Sequence, residues 1–386
     1  MNLFLGLVSG PVIILCALAF LSSVLHLKIL AIVFDFLIAL IMRILDTLST
    51  IVSKADAFKI VYSPSAFQAF AYILTLVLLA FVLRRTLPDM MRPVILLSVM
   101  ILCLSPVKTS FSVSSLYVGQ GNCTVVRLSK RNALIFDGGS TSRSNVGKNV
   151  ILPYLMSEGI TVIEDIYLSH EDADHINGIG YLINGSENID VRRTVFPAVG
   201  FPSKGETGRS YAGISEPGFK DLFDKAKEKH VSKAFIQKGA TVCYDKVSLY
   251  CLWPDTDDLF NDPNKDSAVL WLKYKDFDML IPGDATAETE KKIQKYIANA
   301  DLYICAHHGS RYSSDEDMLK ELRPTLTVIS CGKDNRYGHP HKETLERLRC
   351  VNSIVYRTDE CGAITITPLK KGLKVETYTK QINLEK

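Results

Sequence analysis

The distribution of apolar and polar positions changes abruptly along the chain. From residue 1 to about 106 the sequence is dominated by Leu, Ile, Val, Ala and Phe; from Lys108 onward, short apolar stretches alternate with charged and turn residues. Spanning a bilayer takes about 20 mostly apolar residues. Residues 3–25 and 67–83 read as such spans, and residues 93–104 as a shorter third. Residues 27–52 carry Asp35, Arg43 and Asp46 among apolar runs, which fits either a span with a polar face or a helix lying in the interface. The loop 84–92 holds three arginines, which favours the cytoplasmic side. One further crossing then places everything after Lys108 outside the cell. No basic stretch precedes Leu3, so a cleaved leader is not expected. The expected organisation is an α-helical transmembrane segment of three or four helices over residues 1–108 and a water-facing domain over residues 109–386.

Within that second part, residues 112–118 alternate as a strand does and end in Gly119-Gln120-Gly121. Residues 123–128 and 133–136 form two strands across the polar turn Ser129-Lys130-Arg131-Asn132. The second closes on Asp137-Gly138-Gly139, an acid at a strand end. Residues 149–159 read as a helix, 165–168 as a short strand, and 287–300 and 315–322 as helix-bearing units.

The net charge of +3 gives no clustered basic signature by itself. The nine cysteines show no CxxC pair. They read as isolated thiols, with Cys243–Cys251 or Cys350–Cys361 the pairings that spacing would permit.

The chemistry concentrates at strand ends. The strand at 165–168 runs into Ser169-His170-Glu171-Asp172-Ala173-Asp174-His175-Ile176-Asn177-Gly178-Ile179. His170, Asp172, Asp174 and His175 thus fall within six positions, a set that can hold one or two divalent ions. A solvated acidic loop is the competing explanation, but two imidazoles bracketing two carboxylates is an unusual composition for one. Met279-Leu280-Ile281-Pro282-Gly283-Asp284 delivers a further carboxylate whose two oxygens suit bridging two metals. Leu302-Tyr303-Ile304-Cys305-Ala306-His307-His308-Gly309-Ser310 ends in paired histidines. Thr327-Val328-Ile329-Ser330 precedes Gly338-His339-Pro340-His341. Six of the eight histidines therefore sit in three clusters, and only His26 and His230 stand apart. Strand ends converging on one rim are what an αββα sandwich offers.

Asp137-Gly138-Gly139, the 170–175 run, Gly283-Asp284 and the later histidines resemble the motifs of the metallo-β-lactamase superfamily. Val118-Gly119-Gln120-Gly121, Ile151-Leu152-Pro153-Tyr154-Leu155, Asp172-Ala173-Asp174-His175, His307-His308-Gly309-Ser310, Asn335-Arg336-Tyr337-Gly338-His339-Pro340-His341 and Tyr356-Arg357-Thr358-Asp359 are together similar to the C-terminal domain of the ComEC family of bacterial DNA-internalisation proteins. The resemblance covers residues 112–368, and the apolar segment before it looks like the last helices of the ComEC channel.

That resemblance implies an α/β fold: a metallo-β-lactamase-type αββα sandwich preceded by the transmembrane helices. The setting it implies is a multi-pass protein of the cell membrane with its C-terminal domain on the extracellular side. It also implies a metal-dependent nuclease that degrades one strand of incoming DNA while the other is transported in natural transformation. The partners would be single-stranded DNA, the membrane, and other DNA-uptake channel and competence proteins. The implied metal ligands are His170, Asp172, Asp174, His175, Asp284 and His308, holding one or two ions of Zn or Mn; the carboxylate content hardens the site toward Mn. Asp174, His339 and His341 are the candidate catalytic residues, the two histidines to protonate the leaving oxygen or hold the phosphate.

For substrate, His307, Ser310, Arg311 and Arg336 are the candidate contacts. Lys130, Arg131, Arg143, Lys148 and Lys333 nearby would suit a polyanion through phosphate contacts. Tyr312 and Tyr337 either stack bases or pack.

The departures bear on function. Asp172 stands where the superfamily usually has a histidine. Asn264-Lys265-Asp266-Ser267 occupies the place where many relatives put another ligand histidine, so one ion is as open as two. Tyr117 and Asn122 replace the acids that usually flank the Val118–Gly121 motif. One fold serves many hydrolases, so a surface enzyme acting on small esters, amides or thioesters is a second reading. A non-catalytic DNA-binding or assembly module beside a channel is a third.

Overall fold

The computed structural model describes residues 2–54, 70, 73, 74, 111–185, 189–199, 218–378 and 381–384. The loop 84–92, the span expected at 93–104, the boundary at 108/109 and all but three residues of the span expected at 67–83 lie outside them. The chain divides into two compact units, Met1–Val61 and Tyr62–Lys386.

The first unit holds two helices, α1 (Asn2–Val24) and α2 (Lys28–Lys54), which coincide with the first two apolar runs. Ile13, Phe20, Ile29, Ile32 and Phe36 on them are exposed. Among the described residues, no helix is long and apolar enough to cross a membrane. In α2 the reason is chemical: Lys28, Asp35, Arg43 and Asp46 interrupt the apolar run, and each costs about 3 kcal/mol at a bilayer centre. The described helices therefore do not by themselves identify a span of the expected transmembrane segment.

The second unit is built on two sheets. The first contains β1 (Ser112–Ser115), β2 (Thr124–Arg127), β3 (Asn132–Phe136), β4 (Val162–Tyr167), β5 (Asp190–Val191), β6 (Arg193–Pro197) and β7 (Ser232–Ile236). The second contains β8 (Thr241–Tyr244), β9 (Val247–Trp253), β10 (Val269–Tyr274), β11 (Phe277–Ile281), β12 (Leu302–Ile304), β13 (Leu326–Ile329) and β14 (Ile354–Arg357). The chain then returns to the first sheet as β15 (Ile364–Pro368), β16 (Leu373–Thr377) and β17 (Gln381–Leu384). The orders are β17-β16-β15-β1-β2-β3-β4-β6-β7, with β5 beside β4, and β14-β13-β12-β11-β10-β9-β8. β1 ends at Ser115, short of the expected Val118: the Val118 N–H turns back onto the Leu116 carbonyl, and Gly119 follows at φ 84°.

Strand periodicity builds three apolar layers, because successive side chains face opposite sides. Val126, Leu134, Phe136, Met279, Ile281, Leu302 and Val328 meet between the sheets. Val125, Ala133 and Ile135 face outward onto Leu155, Ile179, Leu182 and Leu222. Leu280, Tyr303 and Ile329 face the other way, onto Ile293, Met318, Leu319 and Leu348. The outer residues lie on helices, so the architecture is the αββα sandwich that the sequence led one to expect.

β3 and β4 run parallel, as do β11, β12 and β13. Their carboxyl ends therefore lie along one rim, where open α/β sheets present their ligand sites. The loops leaving those strands carry Asp137, the 170–175 run, Asp284, His307 and His308, and Ser330.

Candidate metal centre

The geometry is organised around the tautomers of three buried histidines. Asp137, immediately after β3, accepts hydrogen bonds from the Ser169 N–H at 2.8 Å, the Ser169 hydroxyl at 2.9 Å and the Asn122 amide at 3.1 Å. Its Oδ2 lies 2.8 Å from His175 Nδ1. A carboxylate can only accept, so Nδ1 keeps its proton and Nε2, which faces Asp284, is the nitrogen that would give up its proton to a metal. The Ser169 hydroxyl, its hydrogen given to Asp137, lies 3.0 Å from His170 Nδ1 and accepts there. His308 Nδ1 lies 2.8 Å from the Ser330 carbonyl, another pure acceptor. All three rings are thereby locked with Nε2 free for a metal.

Those Nε2 atoms converge with carboxylates. His175 Nε2 is 3.1 Å from Asp284 Oδ1 and 3.3 Å from His308 Nε2. His308 Nε2 is 3.5 Å from Asp174 Oδ2 and 3.6 Å from Asp284 Oδ2. His170 Nε2 is buried without a hydrogen-bond partner, which leaves a desolvated lone pair that only a cation or a donor would satisfy. The donor atoms of His170, His175 and Asp284 lie within 4.8 Å of one another, and so do those of Asp174, His175 and His308. Three imidazole Nε2 atoms and two carboxylates facing one another fit a divalent ion, which would displace any proton those nitrogens hold.

The electrostatics follow from burial and proximity. Burial opposes ionisation of Asp284, yet the charges of His175, His308 and His307 hold its carboxyl well below the usual range. Burial would likewise raise Asp174, but the contact to His308 and the charges of His175 and His308 bring it down to about 2. For His175 burial disfavours the cation, and the carboxylates of Asp284 and Asp137 outweigh it, lifting the ring well above its ordinary value. His339 is pushed down to about 4, by burial first and then by the charges of His308, His307 and His341.

The remaining expected residues lie around this centre. Asp172 sits 3.4 Å from His170 Nε2 with a half-exposed side chain, outside both donor groups. It is the N-cap residue of the helical turn Ala173–Ile176 and makes no side-chain cap hydrogen bond. His307, expected as a substrate contact, brings Nε2 to 3.6 Å from Asp284 Oδ2. His339 lies next to His308 and His341, with centroid separations of 6.2 and 4.9 Å, and belongs to neither donor group. Ser310 is buried in the turn: its carbonyl accepts from the Thr344 hydroxyl. Arg311 pairs with Glu343 at 3.1 Å, and Arg336 donates to the Tyr337 hydroxyl at 2.6 Å.

The 264–267 loop supplies no donor to the centre. The Asp266 carboxylate accepts from the backbone of Phe260 and Asp262, and Ser267 Oγ accepts from the Asp284 N–H. The eight described cysteines are free, including Cys243, Cys251, Cys350 and Cys361. A cleft of about 490 Å³ is lined in part by Glu171, Asp172, Asn177, Asp221 and Lys225, and by none of the five donor residues.

Four supporting groups were not expected as site residues: Asp137, Ser169, the Ser330 carbonyl and Asn335. Asn335 grips the His339 turn from both sides, accepting its N–H at 3.0 Å and donating to its carbonyl at 2.6 Å. The turn bearing His307 and His308 is strained, with φ of 50° and 55° at two non-glycine residues. It is fastened by Arg347, which donates to the carbonyls of Arg311, Ser313 and Ser314, and by buried Glu290, which accepts the Ser314 and Asp315 N–H groups.

Comparison with known proteins agrees with this architecture. Residues 116–237 match the metallo-beta-lactamase superfamily, which points to a metal-dependent hydrolase. ComE operon protein 3 of Bacillus subtilis (strain 168) is 29% identical over 354 residues, 86% of this chain and 42% of its own length. Recombination protein 2 of Haemophilus influenzae is 27% identical over 270 residues, covering 70% of this chain and 30% of that protein. Competence protein ComA of Neisseria gonorrhoeae is 29% identical over 261 residues, covering 67% and 32%. The chain thus spans less than half the length of each of these relatives, and they bear out the resemblance to the ComEC competence proteins.

Proposed function

We propose that the chain is a membrane-held, metal-dependent phosphodiesterase that cuts DNA during uptake, leaving one strand to be transported. The observation that carries this reading is the set of three imidazoles with Nδ1 engaged and Nε2 turned toward Asp174 and Asp284. His170, His175, His308, Asp174 and Asp284 would hold the ion, Zn or Mn, with Asp172 and His307 at its edges. Bound there, a divalent cation supplies Lewis acidity toward a phosphoryl oxygen and acidifies water.

The chain's own residues do the rest. Asp137 and Ser169 keep the donor nitrogens aimed, so little reorganisation is needed when the substrate arrives. His339, neutral at physiological pH, is a hydrogen-bond partner for a phosphate oxygen rather than a proton donor. His341, likewise held below its ordinary value by burial and then by Arg311, accepts the Arg311 N–H at Nδ1 and is left to hold the leaving oxygen through Nε2–H. A competence protein among the relatives supports DNA as substrate. We place the membrane portion at residues 1–108, as several passes, and the hydrolase at 109–386 on the extracellular side. The exposed apolar side chains of α1 and α2 support that assignment, since such surfaces require a lipid or protein cover.

A second reading is hydrolysis of a small ester or thioester: the cleft that Glu171 and Asp172 line suits a small molecule by volume, and its carboxylates repel a polyanion. The 264–267 loop, which brings no imidazole, favours a third: DNA binding without cleavage. A substrate panel separates the three. The full chain in detergent, supplied with Mn or Zn, is assayed on end-labelled single-stranded DNA, on nitrocefin and on a thioester. Cleavage of DNA alone supports the proposal. Turnover of only the small substrates, or DNA binding that survives chelation with no cleavage, replaces it with the second or third reading.

A further inference from the structure

A planar ladder leads from the metal centre to the surface. His308 and His339 lie nearly parallel, 25° apart with centroids at 6.2 Å. His339 and Tyr337 continue it at 23° and 5.6 Å. The Arg336 guanidinium lies 4.8 Å above the Tyr337 ring and is fully exposed. Tyr337 is 42% exposed and Tyr312 is 70% exposed. Tyr312 is a second exposed ring, on the segment whose Arg311 N–H donates to His341 Nδ1 at 3.2 Å. Burying an aromatic is favourable, and rings left in water next to a reactive centre are surfaces kept for a ligand.

The chemistry of the ladder selects that ligand. Its outermost plane is a guanidinium, which stacks on flat π-systems and attracts anions together. A ligand that is both flat-ringed and polyanionic is a nucleic acid strand. In a duplex both faces of every base are already covered, so the plane is usable only by an unpaired base. Glu171, Asp172 and Asp221 line the 490 Å³ cleft and disfavour a phosphate backbone there.

We infer that Arg336 and Tyr337, with Tyr312, form a base-stacking platform that seats an unpaired nucleotide beside the metal centre and so selects single-stranded over duplex nucleic acid. This rests on the phosphodiesterase reading, and it is tested by binding so that the two fail separately. Affinities of the full chain in detergent are measured by fluorescence anisotropy with divalent ions chelated. The probes are a labelled single-stranded oligonucleotide, the same strand with abasic residues, and its duplex. Wild type binds the base-bearing strand about 10-fold more tightly than the abasic one, in line with ~1–3 kcal/mol per stacked base. Tyr337→Phe keeps that ratio. Tyr337→Ala and Arg336→Lys bring it toward one, the latter while retaining the charge and the salt dependence. Equal wild-type affinity for the base-bearing and abasic strands, no binding to either, or a ratio that survives in both Tyr337→Ala and Arg336→Lys overturns the platform whatever the cleavage assay shows.

Discussion

Asp137 Oδ2 lies 2.8 Å from His175 Nδ1, and this contact determines which nitrogen of His175 faces the metal centre. An asparagine amide at that position can donate to Nδ1, which moves the ring proton to Nε2 and blocks the donor. Asp137→Asn is therefore expected to weaken Zn or Mn binding by about 10–100-fold, the usual cost of losing such a partner. Competition titration against a chelator measures it, with circular dichroism to check the fold. Unchanged affinity would mean that the tautomer is set elsewhere.

Gly121 adopts φ 152°, and a Cβ there would stand 2.3 Å from the Gly139 carbonyl oxygen and 2.7 Å from that of Asp174. Both neighbours are backbone, so neither can swing aside. Gly121→Ala is expected to destabilise the fold by about 2–3 kcal/mol and to displace Asp174. A thermal melt together with the metal titration checks both effects; a variant as stable as wild type would refute the contact.

Glu290 is buried, and burial, aided by the Asp315 charge, pushes its carboxyl up to about 7 against an ordinary 4.5. The folded state thus holds its proton more tightly than the unfolded chain does. Stability from this group is full below pH 4.5 and is lost as pH rises through about 7, by on the order of 3 kcal/mol at ~1.4 kcal/mol per unit. The unfolding midpoint of wild type should fall over that window more steeply than that of Glu290→Gln. Parallel pH profiles in the two proteins would rule out this role.

The chemistry of the centre was legible in the sequence because its donors lie just beyond apolar strands. His170 and His175 follow β4, Asp284 follows β11 and His308 follows β12, and the parallel order of β11, β12 and β13 sets Asp284 and His308 side by side. The orienting layer was not legible. The Ser330 carbonyl fixes His308, but a backbone oxygen carries no residue signature. Asp137 reads as a turn acid until the fold brings His175 to it. The closing of the first sheet was equally hidden: Ser114 and Thr365 bond at 2.9 Å across 251 residues, and no local pattern encodes such a pairing. His307 looked like a rim residue because sequence does not show the left-handed backbone that turns it toward Asp284.

The most direct test of the account follows metal content and DNA cleavage together in the same preparations of the full chain, wild type beside Asp174→Ala and Asp284→Asn. Wild type should retain at least one ion of Zn or Mn per chain and cut end-labelled single-stranded DNA. Chelation should abolish cutting and readdition restore it, and both variants should lose cleavage by a factor of at least about 100, equivalent to ~2.7 kcal/mol. A folded, metal-saturated wild-type chain that cuts nothing, or cleavage that persists in both variants, would contradict it.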